Sequence, residues 1–275
     1  MNRVFLAIIG ILMFASCNQS GSTSQPTRNE TKPTEVREAE RVRKPITFSG
    51  TFYQITNLGS LDIIFTEGDY NIEAEGPEKM LNYLHIDIDS NVLTVSIDNE
   101  ESFGINQFTN GSSPITLYIS CPNLQIVAVC STGSFKSVSP IHTPDMQVGI
   151  LDVGSIELDT VITTGSFRYE SSGSGDATFH HIRTQHDCNI MPSGKGNLTA
   201  DVDVANRLLI QNENIGDILV SGKAHKAEVV ILEESNCVAQ FDADQLNLTA
   251  LRGNVTLKGK YGRKEIHQGK NAKLN

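Results

Sequence analysis

A glycine followed by one polar and one apolar residue recurs through the second half of this chain. Its interval is nearly constant, and a fixed period near twenty residues leaves few folds open. The copies are Gly133-Ser134-Phe135, Gly154-Ser155-Ile156, Gly175-Asp176-Ala177, Gly196-Asn197-Leu198, Gly216-Asp217-Ile218 and Gly253-Asn254-Val255. Counting a glycine-less copy at Asn236-Cys237-Val238, successive anchors lie 21, 21, 21, 20, 20 and 17 residues apart. Two residues after each anchor stand Phe135, Ile156, Ala177, Leu198, Ile218, Val238 and Val255, an unbroken apolar column. Four after stand Ser137, Leu158, Phe179, Ala200, Val220, Gln240 and Leu257, with more polar residues between, which is the period-two pattern of a strand with one buried face.

A second run precedes each anchor: Met146, Phe167, Cys188 and Leu208 eight residues before, Val148, Tyr169, Ile190 and Ile210 six before. Near Val229, Ile231, Leu246 and Leu248 this pattern slips by one residue, which predicts a bulge or shifted turn in the last two coils. A twenty-residue coil cannot bury its own apolar face, so coils stack, about 4.8 Å apart, into a rod of roughly 30 Å for seven anchors. The expected fold is all-β: a right-handed parallel β-helix, or solenoid, of about 20–21-residue coils with a β-rich N-terminal part. Glycine is expected at the corners for its tolerance of positive φ, and the Asp, Asn or Ser after it for bonding the turning backbone.

Residues 1–17 read as a lipoprotein signal peptide: Arg3, an apolar run from Val4 to Phe14 too short to span a bilayer, and Phe14-Ala15-Ser16-Cys17, which resembles a bacterial lipobox with Cys17 as the acylated residue. Residues 18–45 are rich in Ser, Thr, Gln and alternating charges and read as a disordered tether. A β-rich N-terminal part is expected over 46–113, with strands at Ile46–Phe48, Phe52–Ile55, Leu61–Phe65 and Tyr70–Ala74. A hairpin of Leu84–Ile88 and Val92–Ile97 turns around Asp89-Ser90-Asn91, a helical turn starts at Pro77, a loop spans 100–113, and Gly59-Ser60-Leu61 looks like an early anchor. The solenoid coils then occupy 114–262, and 263–275 is a basic tail.

From Arg252 to the end the chain carries seven of its 22 basic residues against Glu265 alone. Lys258, Lys260, Arg263 and Lys264 suit an open solenoid end that must resist edge pairing, and an anionic contact such as lipopolysaccharide phosphate is the sharper reading. The net charge of −10 argues against general nucleic-acid binding. With no Trp, the platforms for stacking sugars are Tyr53, Tyr70, Tyr83 and Tyr118. Export would permit disulfides, but Cys121, Cys130, Cys188 and Cys237 differ in coil phase, and Cys188 falls in an inward column as a buried thiol.

His180, His181, His186, Asp187 and Cys188 match no closed zinc spacing, so no metal or cofactor is expected. Five residues after three successive anchors stand Asp159, His180 and Asp201, an exposed ladder that would be the acid-base residues if the chain were an enzyme. No nucleophile elbow, phosphate loop or triad is present, and the chain reads as a non-enzyme. The stacked corners read as structural, leaving the flat faces and the N-terminal part for binding.

At Ser172-Gly173-Ser174-Gly175-Asp176, with its echo Ser193-Gly194-Lys195-Gly196-Asn197 and a Pro-x-Leu step at Pro122–Leu124, the chain resembles the putative autotransporter adhesin head GIN domain family, over about residues 46–258. The resemblance implies a β-helical fold and an adhesin-like role, and it brings no catalytic residues. The expectation is therefore an outer-membrane lipoprotein of the cell envelope, held to the membrane by an N-terminal lipid anchor. It would present a binding or structural surface to an envelope or host glycan or protein; the alternative is a carbohydrate-active β-helix lyase or hydrolase.

Overall fold

In the coil between Gly154 and Gly175 the buried side chains come in three pairs: Ile156 with Leu158, Val161 with Thr163, and Phe167 with Tyr169. Each pair is the inward half of a short strand, so the coil has three sides. The structure, a computed structural model, describes residues 41–98 and 115–275. Its strands begin with β1 (Arg41–Pro45), β2 (Gln54–Asn57), β3 (Asp62–Glu67) and β4 (Asn71–Pro77), followed by the one-turn helix α1 (Glu78–Leu81), β5 (Leu84–Asp89), β6 (Val92–Ile97) and β7 (Thr116–Cys121). Next come β8 (Ile126–Val129), β9 (Ser134–Ser137), β10 (Ile141–Thr143), β11 (Met146–Ile150), β12 (Ser155–Thr163), β13 (Phe167–Ser171), β14 (Ala177–Thr184) and β15 (Cys188–Pro192). The longer β16 (Leu198–Asn212), β17 (Ile218–Ile231), β18 (Asn236–Lys258) and β19 (Tyr261–Leu274) keep extended backbone around corners.

The first side stacks β9, β12, β14, β16, β17 and β18 in parallel, and one inward column runs Phe135, Ile156, Ala177, Leu198, Ile218, Cys237. That column corrects the expected anchor at Asn236. The corner residue is Ser235, and Cys237, Ala239 and Phe241 point inward in place of Val238 and Gln240. Ser235 replaces glycine because its hydroxyl accepts a bond from the buried Asn212 amide, at 2.6 Å, and so is satisfied inside the corner. Gly59 is also out of phase, since Leu61 and not Gly59 lies beside Gly133.

With Ser235 as anchor, the coils measure 21, 21, 21, 20, 19 and 18 residues. One residue is lost at each of the three corners in turn. His180 and His181 lie opposite the single Asp201, then Ala205 and Asn206 opposite His225, and the last loss falls between Ala250 and Gly253. Of the expected slip only part occurs: Val229 and Ile231 keep register with Ile210 and Asn212, whereas Leu246 and Leu248 stand one residue nearer their anchor Gly253, and the register with β19 shifts between Ala250 and Arg252.

Among the corner glycines from Gly133 to Gly216 none has positive φ. The requirement is close approach instead: a Cβ on Gly175 would stand 1.6 Å from Gly154 O. The core peaks in the same coils, where Phe179 meets Phe167 and Tyr169 edge to face at centroid distances of 5.3 and 5.1 Å. Burial pushes the Tyr169 hydroxyl up to about 12.

The N-terminal strands share this core. β2 and β3 form one turn that lies between two later ones, with β6 and β7 on one side and β8 and β9 on the other, all parallel. The β5–β6 hairpin turns at Ser90 and Asn91, with φ of 51° and 63°, the double positive-φ turn that matches strand twist. Pro77 sits at the cap of α1, where its missing N–H costs nothing.

Two boundaries differ from expectation. Arg41–Pro45 is not tether but the edge strand β1, antiparallel to β4, which is antiparallel to β7. Alternating arginines make the difference, since Arg41 pairs with Glu75 at 3.1 Å and Arg43 with Glu73 at 2.6 Å. The Arg41 hydrogen bond, followed by that of Tyr118, holds the Glu75 carboxyl below its usual range. Nor is 263–275 a tail: β19 pairs with β18 through Leu248–Ile266 and Val255–Leu274 and closes the stack. Lys264 stands, exposed, at the register position that holds buried Leu246 one coil earlier. Residues 39–275 form one compact unit with its own core, as independent folding requires. The expected signal peptide, the tether up to residue 40 and the 100–113 loop lie outside the described residues.

Candidate functional site

The corner that leads from the third side into the glycine anchors carries most of the exposed aliphatic surface. Leu151 and Val153 occupy it in one coil and Ile215 three coils on, with Leu58 and Leu251 at the same corner further out. Val153 and Ile215 are 51% and 52% exposed, unusual for side chains of their kind. Between them the corner drops to Ser172-Gly173-Ser174 and Ser193-Gly194-Lys195. A Cβ on Gly194 would lie 1.7 Å from Gly173 O, and one on Gly173 1.8 Å from Asp152 O, so the backbones touch and no side chain can fill the dip.

The result is a shallow groove of about 500 Å³, with a glycine and serine floor, aliphatic walls, and Asp152, Lys195, Glu213 and Glu233 at its margins. It crosses five coils, about 19 Å at strand spacing. Beside it runs a rigid polar ladder in which the Asp176 carboxylate accepts from the Asn197 backbone N–H at 2.7 Å. Asn236 Nδ2 donates to Asp217 at 2.9 Å, and Asn254 Nδ2 to Asn236 Oδ1 at 2.9 Å. A second depression of about 480 Å³, near the narrow end, is lined by Lys223, Asp242, Asp244, Lys260 and Tyr261.

Both depressions lie at corners of the stack. The signal was available: the Ser-Gly runs occupy the phase at which neighbouring coils carry Leu, Val and Ile. Reading those glycines only for turn geometry hid it. In the N-terminal part Tyr118 is no open platform, since the Arg43 guanidinium covers its ring at 3.7 Å and its hydroxyl donates to Glu75 at 3.0 Å.

Asp159, His180 and Asp201 are exposed or half-buried on another corner, and their contacts diverge. His180 Nε2 lies 3.0 Å from Glu157, which also accepts from Lys136 at 3.1 Å. Those two hydrogen bonds, that of His180 first, hold the Glu157 carboxyl below its usual range. Asp201 instead meets His181 Nδ1 at 2.9 Å and accepts from Ser221 at 2.7 Å. Arg183 Nε donates to His181 Nε2 at 2.7 Å, which assigns the ring proton to Nδ1. His180 and His181 both lie outward at the corner between buried Phe179 and Ile182, as Asp159 and Thr160 do one coil earlier.

Asp187 accepts from Asn206 at 2.7 Å and Arg207 at 3.2 Å, while Cys188 is buried. Among the described residues no group of three or more His, Cys, Asp or Glu is placed to hold a metal. Cys121, Cys130, Cys188 and Cys237 are free thiols. Burial raises all four, Cys121 to about 11 and Cys237 to about 12, as inert core sulfur requires. Cys17 lies outside the described residues.

The stacked strands form a three-sided β-solenoid with a polar corner ladder and a shallow open groove. Residues 51–260 match the family described as putative auto-transporter adhesin, head GIN domain, and the chain belongs to that family. No curated protein matches it significantly. Among solved structures, a putative adhesin from Parabacteroides merdae aligns over 86% of this chain and 96% of its own, with TM-score 0.58 and 17% identity. A putative adhesin from Bacteroides fragilis covers the same shares with TM-score 0.57 and 17% identity. A putative lipid binding protein from Parabacteroides distasonis also covers 86% and 96%, with TM-score 0.59 and 18% identity. At these identities the likeness is one of fold. Family membership points to an extracellular or envelope-associated protein.

Proposed function

We propose that the protein is a lipid-anchored cell-envelope module that binds an envelope or host glycan or protein through the serine-glycine groove. The supporting observation is the coincidence of exposed Leu151 and Ile215 with a serine and glycine floor that backbone contact at Gly173 and Gly194 holds low. A non-enzymatic role fits the carboxylates of Glu157 and Asp201, which are taken up by Lys136, His180 and His181 on the same surface. The purified 18–275 chain should retain at least one partner on arrays of envelope glycans and host matrix proteins. The double substitution Leu151→Asp, Ile215→Asp should weaken that binding about tenfold or more while leaving thermal melting unchanged. Binding that survives the pair, or none to any probe, overturns the groove reading.

The anchor rests on the apolar run and Cys17. Cells fed labelled palmitate should incorporate it into the wild-type chain and not into Cys17→Ser, which should also leave the outer-membrane fraction. Equal labelling of the two chains would remove the lipoprotein assignment.

A further inference from the structure

The closing coil, residues 258–275, differs in electrostatics from everything before it. Lys258, Lys260, Arg263, Lys264, Lys270 and Lys273 lie within it, and its single acidic residue, Glu265, is occupied by His267 at 3.1 Å. None of the six has a carboxylate partner among the described residues. Elsewhere, eight of the twelve described Lys and Arg residues sit against a carboxylate. A chain with net charge −10 thus concentrates its uncompensated positive charge on one end.

Register fixes how those charges are arranged. Lys273 lies on the first side beside Asn254, and Lys258 and Lys260 flank the corner into the second. Arg263 and Lys264 begin the third side beside Gln245 and Leu246, and Lys270 stands at the last corner, opposite Leu251. The cations therefore ring the open end of the stack. Within the ring, Tyr261, Ile266 and Leu274 are only partly covered. This end lies about 50 Å along the strand stack from β1, so it meets partners independently of whatever the N-terminus is attached to.

From this arrangement we propose that the closing coil is a docking face for an anionic lipid surface, with the cation ring engaging headgroup phosphates and the partly covered apolar residues resting on the interface. A ring around a blunt end presents its charges together to a plane. A linear polyanion would be served better by a row along one side, and the six cations do not form one.

The test uses the 18–275 chain, which lacks Cys17 and the apolar leader, in sedimentation with vesicles of 30% phosphatidylglycerol in phosphatidylcholine and of phosphatidylcholine alone. Binding should favour the anionic vesicles at low salt and collapse as salt rises. With each cation worth about fivefold in partitioning near such a surface, Lys258→Gln, Lys260→Gln, Lys270→Gln and Lys273→Gln together should lower binding about a hundredfold or more. The pairs Lys258→Gln, Lys260→Gln and Lys270→Gln, Lys273→Gln should each give part of the loss, and they serve if the quadruple variant melts early. Equal binding to neutral vesicles, salt-insensitive binding, or full binding by folded variants overturns the proposal. So does capture of soluble dextran sulfate without capture of anionic vesicles, which would move the face to acidic polysaccharides.

Discussion

Gly175→Ala is expected to destabilise the solenoid by about 3 kcal/mol or more, seen as a fall of roughly 6–12 °C in the melting temperature. The added carbon would sit 1.6 Å from Gly154 O and 2.7 Å from the Gly154 carbonyl carbon. Both are backbone atoms of a paired coil, so neither can swing aside as a flexible side chain would. Gly149→Ala is the matched control, because its Cβ would meet nothing nearer than 3.9 Å, and its effect should stay within about 0.5 kcal/mol. Denaturant titration of the two variants decides the matter. A Gly175→Ala chain as stable as Gly149→Ala would mean that corner contact does not require glycine there, since an alanine that fits should leave stability unchanged or slightly raised.

Phe179→Ala should cost about 3–5 kcal/mol, since the ring is 1% exposed and its removal leaves Phe167 and Tyr169 facing a cavity. The neighbouring Thr178→Ala, on the outward side of the same strand, should change stability by no more than about 0.5 kcal/mol. Each coil contacts only its neighbours, so hydrogen exchange should show the loss concentrated in the coils around Phe179, with the N-terminal strands least affected. Uniform loss of protection along the whole unit would contradict that picture.

The stretch from Gly133 to Gly216 is readable from the sequence because every physical cue repeats in phase: a close-contact glycine, a polar ladder residue and an inward pair. Reading fails where one cue is exchanged for another. At Ser235 a hydroxyl bonded to buried Asn212 does the work of glycine, and the apolar Val238 outweighed the true inward residue Cys237. At Arg41–Pro45 a polar composition hides a strand whose stability comes from Glu73 and Glu75, some thirty residues away and invisible to local periodicity. The groove depends on comparing the same corner across coils. In one coil Ser172-Gly173-Ser174 is a turn; between Leu151 and Ile215 it is the floor of a concave surface.

The stepwise shortening of the coils has a consequence for how such a chain can grow. A coil duplicated between Gly154 and Gly196 would meet neighbours of the same 21-residue perimeter and bond to both without adjustment. The same coil spliced in beyond Ser235 would overhang an 18-residue neighbour at all three corners. It would also bring Phe167, Tyr169 and Phe179 into an interior built around Ala227, Ala239, Ala243 and Ala250. A duplicated 21-residue coil is therefore matched to the broad middle of the stack and mismatched beside its 18-residue coil.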